Sequence, residues 1–296
     1  MTVVAIAALG MALAACDGTA PKQPYAGRGI VPDFPTAESR GADSRHDADS
    51  PGNDASDAGV AQSRHGQPKH YEMPQAERGT KIISHTGYAL AYNAETNCPD
   101  WVAWELTRDE ANARGGRNPD FYPDPDVDSR HQVSTHDYSG SGYSRGHMCP
   151  AADMKWSSEA QHDCFYMTNM CPQNRELNAD SWEQLERACR RWARREGSVY
   201  IVCGPVYDPQ RKVRHIGREH RVRVPDGFFK VVLSLTKGRE KAIGFYYANN
   251  DRQQTMESAA MSVDQVEELT GYDFFYLVAD KLENRVERHA DLKAWK

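Results

Sequence analysis

The chain has 296 residues, and its 36 Lys and Arg against 42 Asp and Glu give a formal net charge of −6. This mildly acidic balance excludes a histone-like or ribosomal protein, although a local basic patch is still enough to bind phosphate groups. Hydrophobic residues make up only 39% of the sequence, so we expect one large folded domain with an appendage that does not fold.

Residues 1–15 are apolar and too few to span a membrane, which is typical of the core of an export signal. The run Leu13-Ala14-Ala15-Cys16 resembles the lipobox of bacterial lipoproteins, in which the signal is cut before a cysteine that then carries lipid. We therefore expect residues 1–16 to be a lipoprotein-type signal, with Cys16 anchoring an exported chain to a membrane of the cell envelope. A plain secretory signal and a buried N-terminal helix are the alternatives, because no Lys or Arg precedes the apolar core.

The next segment, residues 17–70, is rich in Asp, Ser, Gly, Pro, Ala, Arg and His and has few large apolar side chains. Such a segment cannot bury enough surface to offset the loss of chain entropy on folding. We predict a disordered tether here, which leaves residues 71–296 as the folded domain.

From about residue 80 the pattern is typical of a globular domain. Runs rich in β-branched and aromatic residues predict strands at residues 88–92, 101–106, 163–168, 198–203, 228–235 and 242–248. Helices are predicted at 178–196, from Ser262 through about Leu269, and at 280–290, whereas residues 107–142 predict loop. Because strands and helices do not alternate regularly, we predict an α+β fold rather than a doubly wound sheet.

The cysteines of the domain are even in number and none forms a Cys-x-x-Cys pair, which argues against a zinc ribbon or a thioredoxin-like redox site. In an exported protein such a set predicts up to three disulfides, whose pairing the sequence leaves open. The six residues are Cys98, Cys149, Cys164, Cys171, Cys189 and Cys203.

An Arg and a His flank Gly146 in the segment 142–154, Gly-Tyr-Ser-Arg-Gly-His-Met-Cys-Pro-Ala-Ala-Asp-Met. A glycine allows the chain to approach a ligand closely, and an arginine offers two parallel donors to a phosphate. A histidine can accept a proton from water near neutral pH. Alone, this motif is more often a surface turn than a site.

A second segment, residues 168–178, crowds amide side chains at the start of the predicted helix, where Asn is also a favoured cap. Asn178, Trp182, Glu186 and Arg190 follow at successive spacings of four, so on a single helix they lie on one face. An amide oxygen, a carboxylate and a guanidinium that converge in this way suit a hydrated Mg²⁺ beside a phosphate.

Together the two segments resemble the non-specific DNA/RNA endonucleases of the ββα-metal superfamily. The matching residues are Arg145-Gly146-His147, Asn169, Pro172-Gln173, Asn178, Trp182 and Leu185-Glu186. The resemblance covers about residues 80–290. It implies a ββα-metal nuclease fold, in which a mainly antiparallel central sheet is flanked by helices.

The resemblance also implies a role for each matching residue. His147 is expected to be the general base that activates water, and Asn178 the direct protein ligand of Mg²⁺, with Mn²⁺ as a substitute. Glu186 is expected to hold metal-bound water, and Arg190 to lie near the scissile phosphate. Arg145 is the arginine of the first motif, with both a catalytic and a phosphate-binding role.

Two weaker matches complete the expected substrate-binding set. Arg117, in a Gly-Arg-Asn loop, is a candidate phosphate ligand, and Asn169 corresponds to a supporting amide next to the site. Ser144 departs from the family pattern, in which Asp is the commonest residue before the arginine. This change predicts a weaker network around Arg145 or the metal-bound waters, and not the loss of the base.

The charge distribution agrees with this placement, because residues 185–223 carry eleven positive and four negative side chains. Such a run is either a solvated helix face or a surface that follows phosphates. The sequence therefore predicts a Mg²⁺-dependent, sugar-non-specific endonuclease that acts on DNA and RNA and leaves 5′-phosphates. The alternative is a surface lipoprotein that binds nucleic acid without cutting it, which would need neither His147 nor Asn178.

Overall fold

The computed structural model describes residues 70–75, 79–116 and 120–296. The predicted signal, the lipobox cysteine, Arg117 and all of the predicted tether except His70 lie outside the described residues. No helix within these ranges is long and apolar enough to cross a membrane.

The described strands are, in chain order, β1 (Ile82–His85), β2 (Tyr88–Asn93), β3 (Cys98–Thr107), β4 (Ser144–His147), β5 (Met170–Gln173), β6 (Ser198–Val206), β7 (His215–Ile216), β8 (Val222–Arg223), β9 (Gly227–Ser234), β10 (Lys241–Ala248) and β11 (Ala260–Met261). The helices are α1 (Arg108–Asn112), α2 (Thr135–Tyr138), α3 (Ser158–Asp163), α4 (Arg175–Ala179), α5 (Ser181–Glu196), α6 (Met256–Ala259), α7 (Val263–Thr270) and α8 (Asp280–Glu287).

An antiparallel sheet of seven strands forms the centre of the domain, in the order β1-β2-β3-β6-β9-β10-β11. Two further antiparallel pairs, β4 with β5 and β7 with β8, lie outside this sheet. The predicted α+β fold, with an antiparallel central sheet flanked by helices, is confirmed.

Both faces of the sheet are buried, because its central strands are apolar on both sides. In β9, Phe228 and Val232 pack into one core with α5, and Val231 and Leu233 pack into a second core with α7 and α8. We call the first the site face and the second the rear face. Side chains alternate between the two faces along a strand, so Lys230, which lies between Phe228 and Val232 in this alternation, belongs to the site face.

Helix α5 turns an apolar stripe toward the site face, as its spacing predicts. Trp182, Leu185, Cys189 and Trp192 are all buried. The single helix predicted over 178–196 is wrong, however, because the chain breaks at Asp180, whose φ of −123° and ψ of −88° are not helical. Asn178 therefore belongs to α4, and Glu186 and Arg190 belong to α5.

Two further predictions of local structure are corrected. Residues 163–168 do not form a strand: α3 ends at Asp163, and a short 3-10 turn begins at Met167. A short apolar run has no period long enough to distinguish a buried strand from a turn. The predicted loop 107–142 contains α1 and α2, which begin with capping boxes at Thr107 and Ser134.

The six cysteines of the described residues are all free and buried, so the predicted disulfides are wrong. Several of these thiols serve instead as small apolar groups that donate weak hydrogen bonds to main-chain oxygens. Cys164 donates to Gln161 over 3.2 Å, and Cys203 donates to Met148 over 3.3 Å. Burial raises the pKa of both thiols to about 12, which keeps them protonated and unreactive.

Candidate active site

Strands β4 and β5 pair with each other, and the chain passes from β5 into α4. His147 closes β4 opposite Met170, and Asn178 lies near the end of α4. Helix α4 packs against β4. It begins where Oδ1 of Asn174 accepts the main-chain N–H of Glu176 over 2.9 Å. Two antiparallel strands and the helix that follows them thus bring the two sequence motifs to neighbouring positions.

Gly146 permits the close approach of β4 and β5 beside the histidine. A Cβ at this position would collide with the side-chain amide oxygen of Gln173, which lies directly over the glycine. The glycine of the first motif is therefore required by the packing of the strand pair.

The ring of His147 is held by aromatic neighbours. It lies 4.9 Å from Phe165 in an edge-to-face arrangement and 5.6 Å from Phe121, measured between ring centroids. The main-chain oxygen of His147 accepts the indole N–H of Trp182 over 3.2 Å. The ring contacts restrict the orientation of the imidazole, and the hydrogen bond from Trp182 fixes the main chain that carries it.

Arg145 lies two residues before His147 and lines a cleft of about 440 Å³. Its guanidinium carbon lies 4.3 Å from the centroid of the Phe121 ring, within the range of a cation–π contact. The other residues that line the cleft are Thr135, Tyr138, Ser139, Tyr143, Ser144 and Arg175. The two cations and three aromatic rings of this cleft suit a phosphate group and a neighbouring base of a nucleic acid.

Glu186 is the half-buried carboxyl group of α5 on this side of the sheet. Its pKa is raised to about 7, mainly by burial, with smaller upward contributions from Asp153 and Glu183 that Lys230 and Arg190 oppose. A carboxyl group with this pKa exchanges its proton near neutral pH.

Arg190 is held by a buried partner. Its Nη1 donates to Oδ1 of Asp153 over 2.8 Å, and the second carboxylate oxygen accepts the indole N–H of Trp104 over 3.2 Å. The Asp153 side chain is buried, and that of Arg190 is 12% exposed. The ion pair therefore fixes the direction of the guanidinium at the edge of the site.

Asn169 is wholly buried and supports the site from below. Its Oδ1 accepts the main-chain N–H of Cys149 over 2.9 Å, and its Nδ2 donates to the main-chain oxygens of Cys149 and Cys164. The amide thus holds the segment that follows His147. Asn169 therefore supports the main chain next to the site, and its buried side chain offers no surface that a substrate could contact.

A basic loop between β6 and β9 borders the cleft. It is attached to α2 by Asp137, which accepts the main-chain N–H groups of Arg218, Glu219 and His220 at 3.1–3.2 Å and contacts the His220 ring at 2.9 Å. Burial alone would raise the pKa of Asp137, but these hydrogen bonds lower it to about 2. The loop is therefore held by an ionised carboxylate.

The same loop reaches the wall of the cleft. Arg214 donates from Nη1 to the hydroxyl of Tyr143 over 2.9 Å. Positive charge thus extends outward from the cleft in which Arg145 lies, along a path suited to a polyanion.

The structure places Arg145 and His147 on β4 and Asn178 on α4, which packs against that strand. Glu186 and Arg190 lie further along α5, whose first turn contacts the main chain of His147. Two residues that sequence reasoning missed stand beneath them, Asp153 and Lys230. Both carried a signal: Asp153 closes the first motif, and Lys230 interrupts the apolar run Phe-Phe-Lys-Val-Val-Leu. A charged residue in such a run needs a partner or a function.

The donor set at the site limits which metal ion fits. Within the described residues, the one group of three or more His, Cys or carboxylate ligands is Asp264, Glu267 and Glu287. These residues lie on α7 and α8, which cover the rear face. At the site itself Asn178 offers a single hard oxygen, which suits an ion that keeps most of its water, such as Mg²⁺, and not a zinc cage.

Comparison with known proteins agrees with this geometry. The model of the DNA/RNA non-specific endonuclease family matches residues 66–281. The chain therefore belongs to the DNA/RNA non-specific endonuclease family.

Individual relatives share the same region. The mitochondrial nuclease EXOG of Xenopus laevis is 34% identical over 211 residues, which are 67% of this chain and 59% of that protein. The mitochondrial endonuclease G of Bos taurus is 31% identical over 221 residues, 71% of this chain and 73% of that protein. A chain of the crystal structure of the EndoG/EndoGI complex superposes with a TM-score of 0.66 at 26% identity, covering 74% of this chain and 96% of that one.

Proposed function

We propose that this protein hydrolyses phosphodiester bonds of DNA and RNA, without selecting the base or the sugar, and leaves 5′-phosphate ends. The observation that carries the proposal is the β4–β5–α4 unit, which sets His147 beside the helix of Asn178 and against the start of α5. Membership of the endonuclease family supports the same activity.

His147 is the general base in this proposal. Phe121 and Phe165 hold its ring, and the bond from Trp182 to its main-chain oxygen holds the backbone. The imidazole takes a proton from a water molecule as the water oxygen bonds to phosphorus. The bond between phosphorus and the 3′ oxygen then breaks, so the phosphate stays on the 5′ side.

Glu186 has a pKa that suits proton transfer to the departing 3′ oxygen. With a value of about 7, its carboxyl group orients water and exchanges a proton under neutral conditions. The proton required by the departing 3′ oxygen is supplied through this water.

Arg190 and Arg145 stabilise the charge on the phosphate as the pentavalent state forms. Asp153 keeps Arg190 in a fixed direction, and Phe121 supports Arg145 from beneath. Fixed donors of this kind need no reorganisation during the reaction. Contacts made to phosphate carry no base information, which is the reason to expect little sequence preference.

Asn178 is the residue that would hold a divalent metal ion, Mg²⁺ with Mn²⁺ as a substitute. When bound, such an ion supplies electrostatic stabilisation of the phosphate and the leaving oxygen. The half-buried amide of Asn178 at the end of α4 offers the oxygen that this ion prefers.

We also propose that the protein is exported and held at a membrane by lipid on Cys16. The Leu-Ala-Ala-Cys sequence and the polar segment 17–70 support this placement.

The experiment that tests the activity is incubation of the purified protein with plasmid DNA and with RNA, in Mg²⁺, in Mn²⁺ and in EDTA. We expect both substrates to be cut in either metal ion and neither in EDTA, with 5′-phosphate on the products. Binding of DNA without cleavage under every divalent metal ion would overturn the proposal in favour of a binding protein.

A further inference from the structure

Lys230 lies in the middle of β9 and is 0% exposed. Its neighbours on the site face of this strand are Phe228 and Val232, both of which belong to the apolar core. Lysine is almost never fully buried unless a partner compensates its charge. This position therefore calls for an explanation that core packing does not give.

The ammonium group of Lys230 lies between two indole faces. Its Nζ is 4.4 Å from the centroid of the Trp182 ring and 5.2 Å from that of the Trp104 ring. Within the described part of the chain it has no hydrogen-bond partner. The cation is thus held mainly by the electron-rich faces of two tryptophans, an attraction that strengthens when water is excluded.

Both of these indoles use their edges to hold the active site. Trp182 donates to the main-chain oxygen of His147, and Trp104 donates to Asp153, the carboxylate that holds Arg190. An indole ring is rigid, so fixing its face also fixes the direction of its N–H. One buried cation therefore contacts the two rings that orient the base and the arginine.

Lys230 also balances charge. Although burial lowers its pKa, the surrounding Cys203, Cys189, Glu186 and Asp153 raise it above the ordinary lysine value, so the group is an ammonium ion. In turn, its charge opposes the raised pKa of Glu186 and of Asp153. Two carboxyl groups and two cations, Lys230 and Arg190, thus form a compensated set beneath the site.

We propose that Lys230 is a positioning residue of the nuclease reaction. Its ammonium group, enclosed by Trp104 and Trp182, sets the directions in which these indoles hold His147 and the Asp153–Arg190 pair. Because Lys230 is wholly buried, it acts through these neighbours and does not touch the substrate. This inference rests on the proposed nuclease function.

The test compares two variants at Lys230 with a matched control. Lys230→Met keeps the length of the side chain and removes its charge, and Lys230→Arg keeps a cation that also stacks on indoles. The control is Lys241→Met on β10, where a lysine contacts the ring of Trp295 at 4.9 Å and Glu196 at 2.8 Å, away from the residues of the site. For each protein, kcat and KM on plasmid DNA, the half-saturating Mg²⁺ concentration and Tm are measured.

We expect Lys230→Met to lose about 10–100-fold in kcat, because small displacements of reacting groups have effects of this size. KM and the half-saturating Mg²⁺ concentration should stay within about threefold of the original, and Lys230→Arg should recover most of kcat. Lys230→Met leaves two buried carboxyl groups with one cation fewer, so Tm should fall, and kcat is therefore measured well below the Tm of each variant. Lys241→Met should keep its kcat although its Tm falls.

A kcat of Lys230→Met within about twofold of the original would overturn the inference. So would a folded Lys230→Arg that is as slow as Lys230→Met. If Lys230→Met does not melt cooperatively, Lys230→Gln takes its place, and failure of both to fold also overturns the inference, since the lysine then serves folding. If the unchanged protein and Lys241→Met do not cut at all, the proposed function fails instead.

Discussion

The indole N–H of Trp182 donates a hydrogen bond to the main-chain oxygen of His147 over 3.2 Å. This bond joins the first turn of α5 to the last residue of β4. Since Glu186 and Arg190 follow Trp182 on α5, this contact connects His147, the proposed base, directly to the helix that carries both of these residues.

Replacing Trp182 by Phe tests the role of this hydrogen bond. The ring remains over Phe228, at 5.7 Å between centroids, but the hydrogen bond is lost. A bond of this kind contributes about 1 kcal/mol, so kcat should fall about fivefold and stability by a similar free energy. Trp192→Phe, on the same helix and stacked on Phe245, is the control and should leave kcat unchanged. An unaltered kcat in Trp182→Phe would show that the bond does not orient His147.

His147→Ala separates catalysis from binding. Loss of the general base should lower hydrolysis about 10²–10⁴-fold, while the affinity for DNA stays close to that of the original protein. Filter binding in EDTA and a plasmid-nicking assay measure the two quantities. His162→Ala, which removes a ring stacked on Tyr122 at 4.8 Å, is the matched control and should cut normally. Cleavage at the original rate by His147→Ala, with contaminating nuclease excluded, contradicts the mechanism.

Asn178→Ala should abolish cutting through loss of the metal ion. Part of the activity should therefore return at high Mg²⁺ concentration, which does not happen in His147→Ala. A titration of rate against Mg²⁺ concentration distinguishes the two variants. Asn284→Ala on α8, whose amide donates to the main chain of Asp280, provides the control. An unshifted Mg²⁺ titration curve in Asn178→Ala would remove this residue from the metal site.

Glu186→Gln should change how stability depends on pH. The pKa of Glu186 is raised from 4.5 to about 7, so between these values the folded protein keeps a proton that the unfolded chain releases. The stability of the original protein therefore falls as pH rises through this range. The glutamine variant lacks this loss and should be more stable above about pH 7, by up to about 3 kcal/mol, with no difference below about pH 4.5.

Urea unfolding at about pH 5 and about pH 8 measures the effect. Glu183→Gln, one turn earlier on α5, removes a more exposed carboxylate paired with Arg187 at 2.6 Å and should show no such pH dependence. Equal stability of the original protein and Glu186→Gln at about pH 8 would mean that folding does not raise the pKa of Glu186.

Cys16→Ala tests the proposed anchor. We expect the variant to leave the membrane fraction while its activity on DNA stays that of the original protein. Fractionation with detection of the protein in each pool measures the change. Membrane attachment that persists in the variant would exclude lipid on Cys16 as the anchor.

The sequence predicted those parts of the molecule that depend on local pattern. The stripe Trp182, Leu185, Cys189 and Trp192 predicted α5, and the sequence Ser-Val-Asp-Gln predicted the start of α7, where Ser262 and Gln265 form a capping box. The two motifs singled out His147 and Asn178 as candidate site residues, and the elements that carry them, β4 and α4, pack together.

What the sequence did not predict depends on contacts between distant segments. The residues on both sides of Asp180 favour a helix, so the sequence predicts one continuous helix there. A single residue with a ψ of −88° does not change the hydrophobic periodicity and cannot be predicted from it. Asp153 meets Arg190 across 37 positions, and Lys230 meets Trp104 across the sheet. Such pairs exist only once β3, β9 and α5 are packed together.

The free thiols of the domain have a consequence for where it can become active. A nuclease closed by disulfides is harmless in a reducing cytoplasm and matures only after oxidation. Here the six cysteines of the described residues are buried and unpaired, and three of them donate to main-chain oxygens. Within the described residues no disulfide has to form, so maturation of the proposed nuclease would not depend on an oxidant.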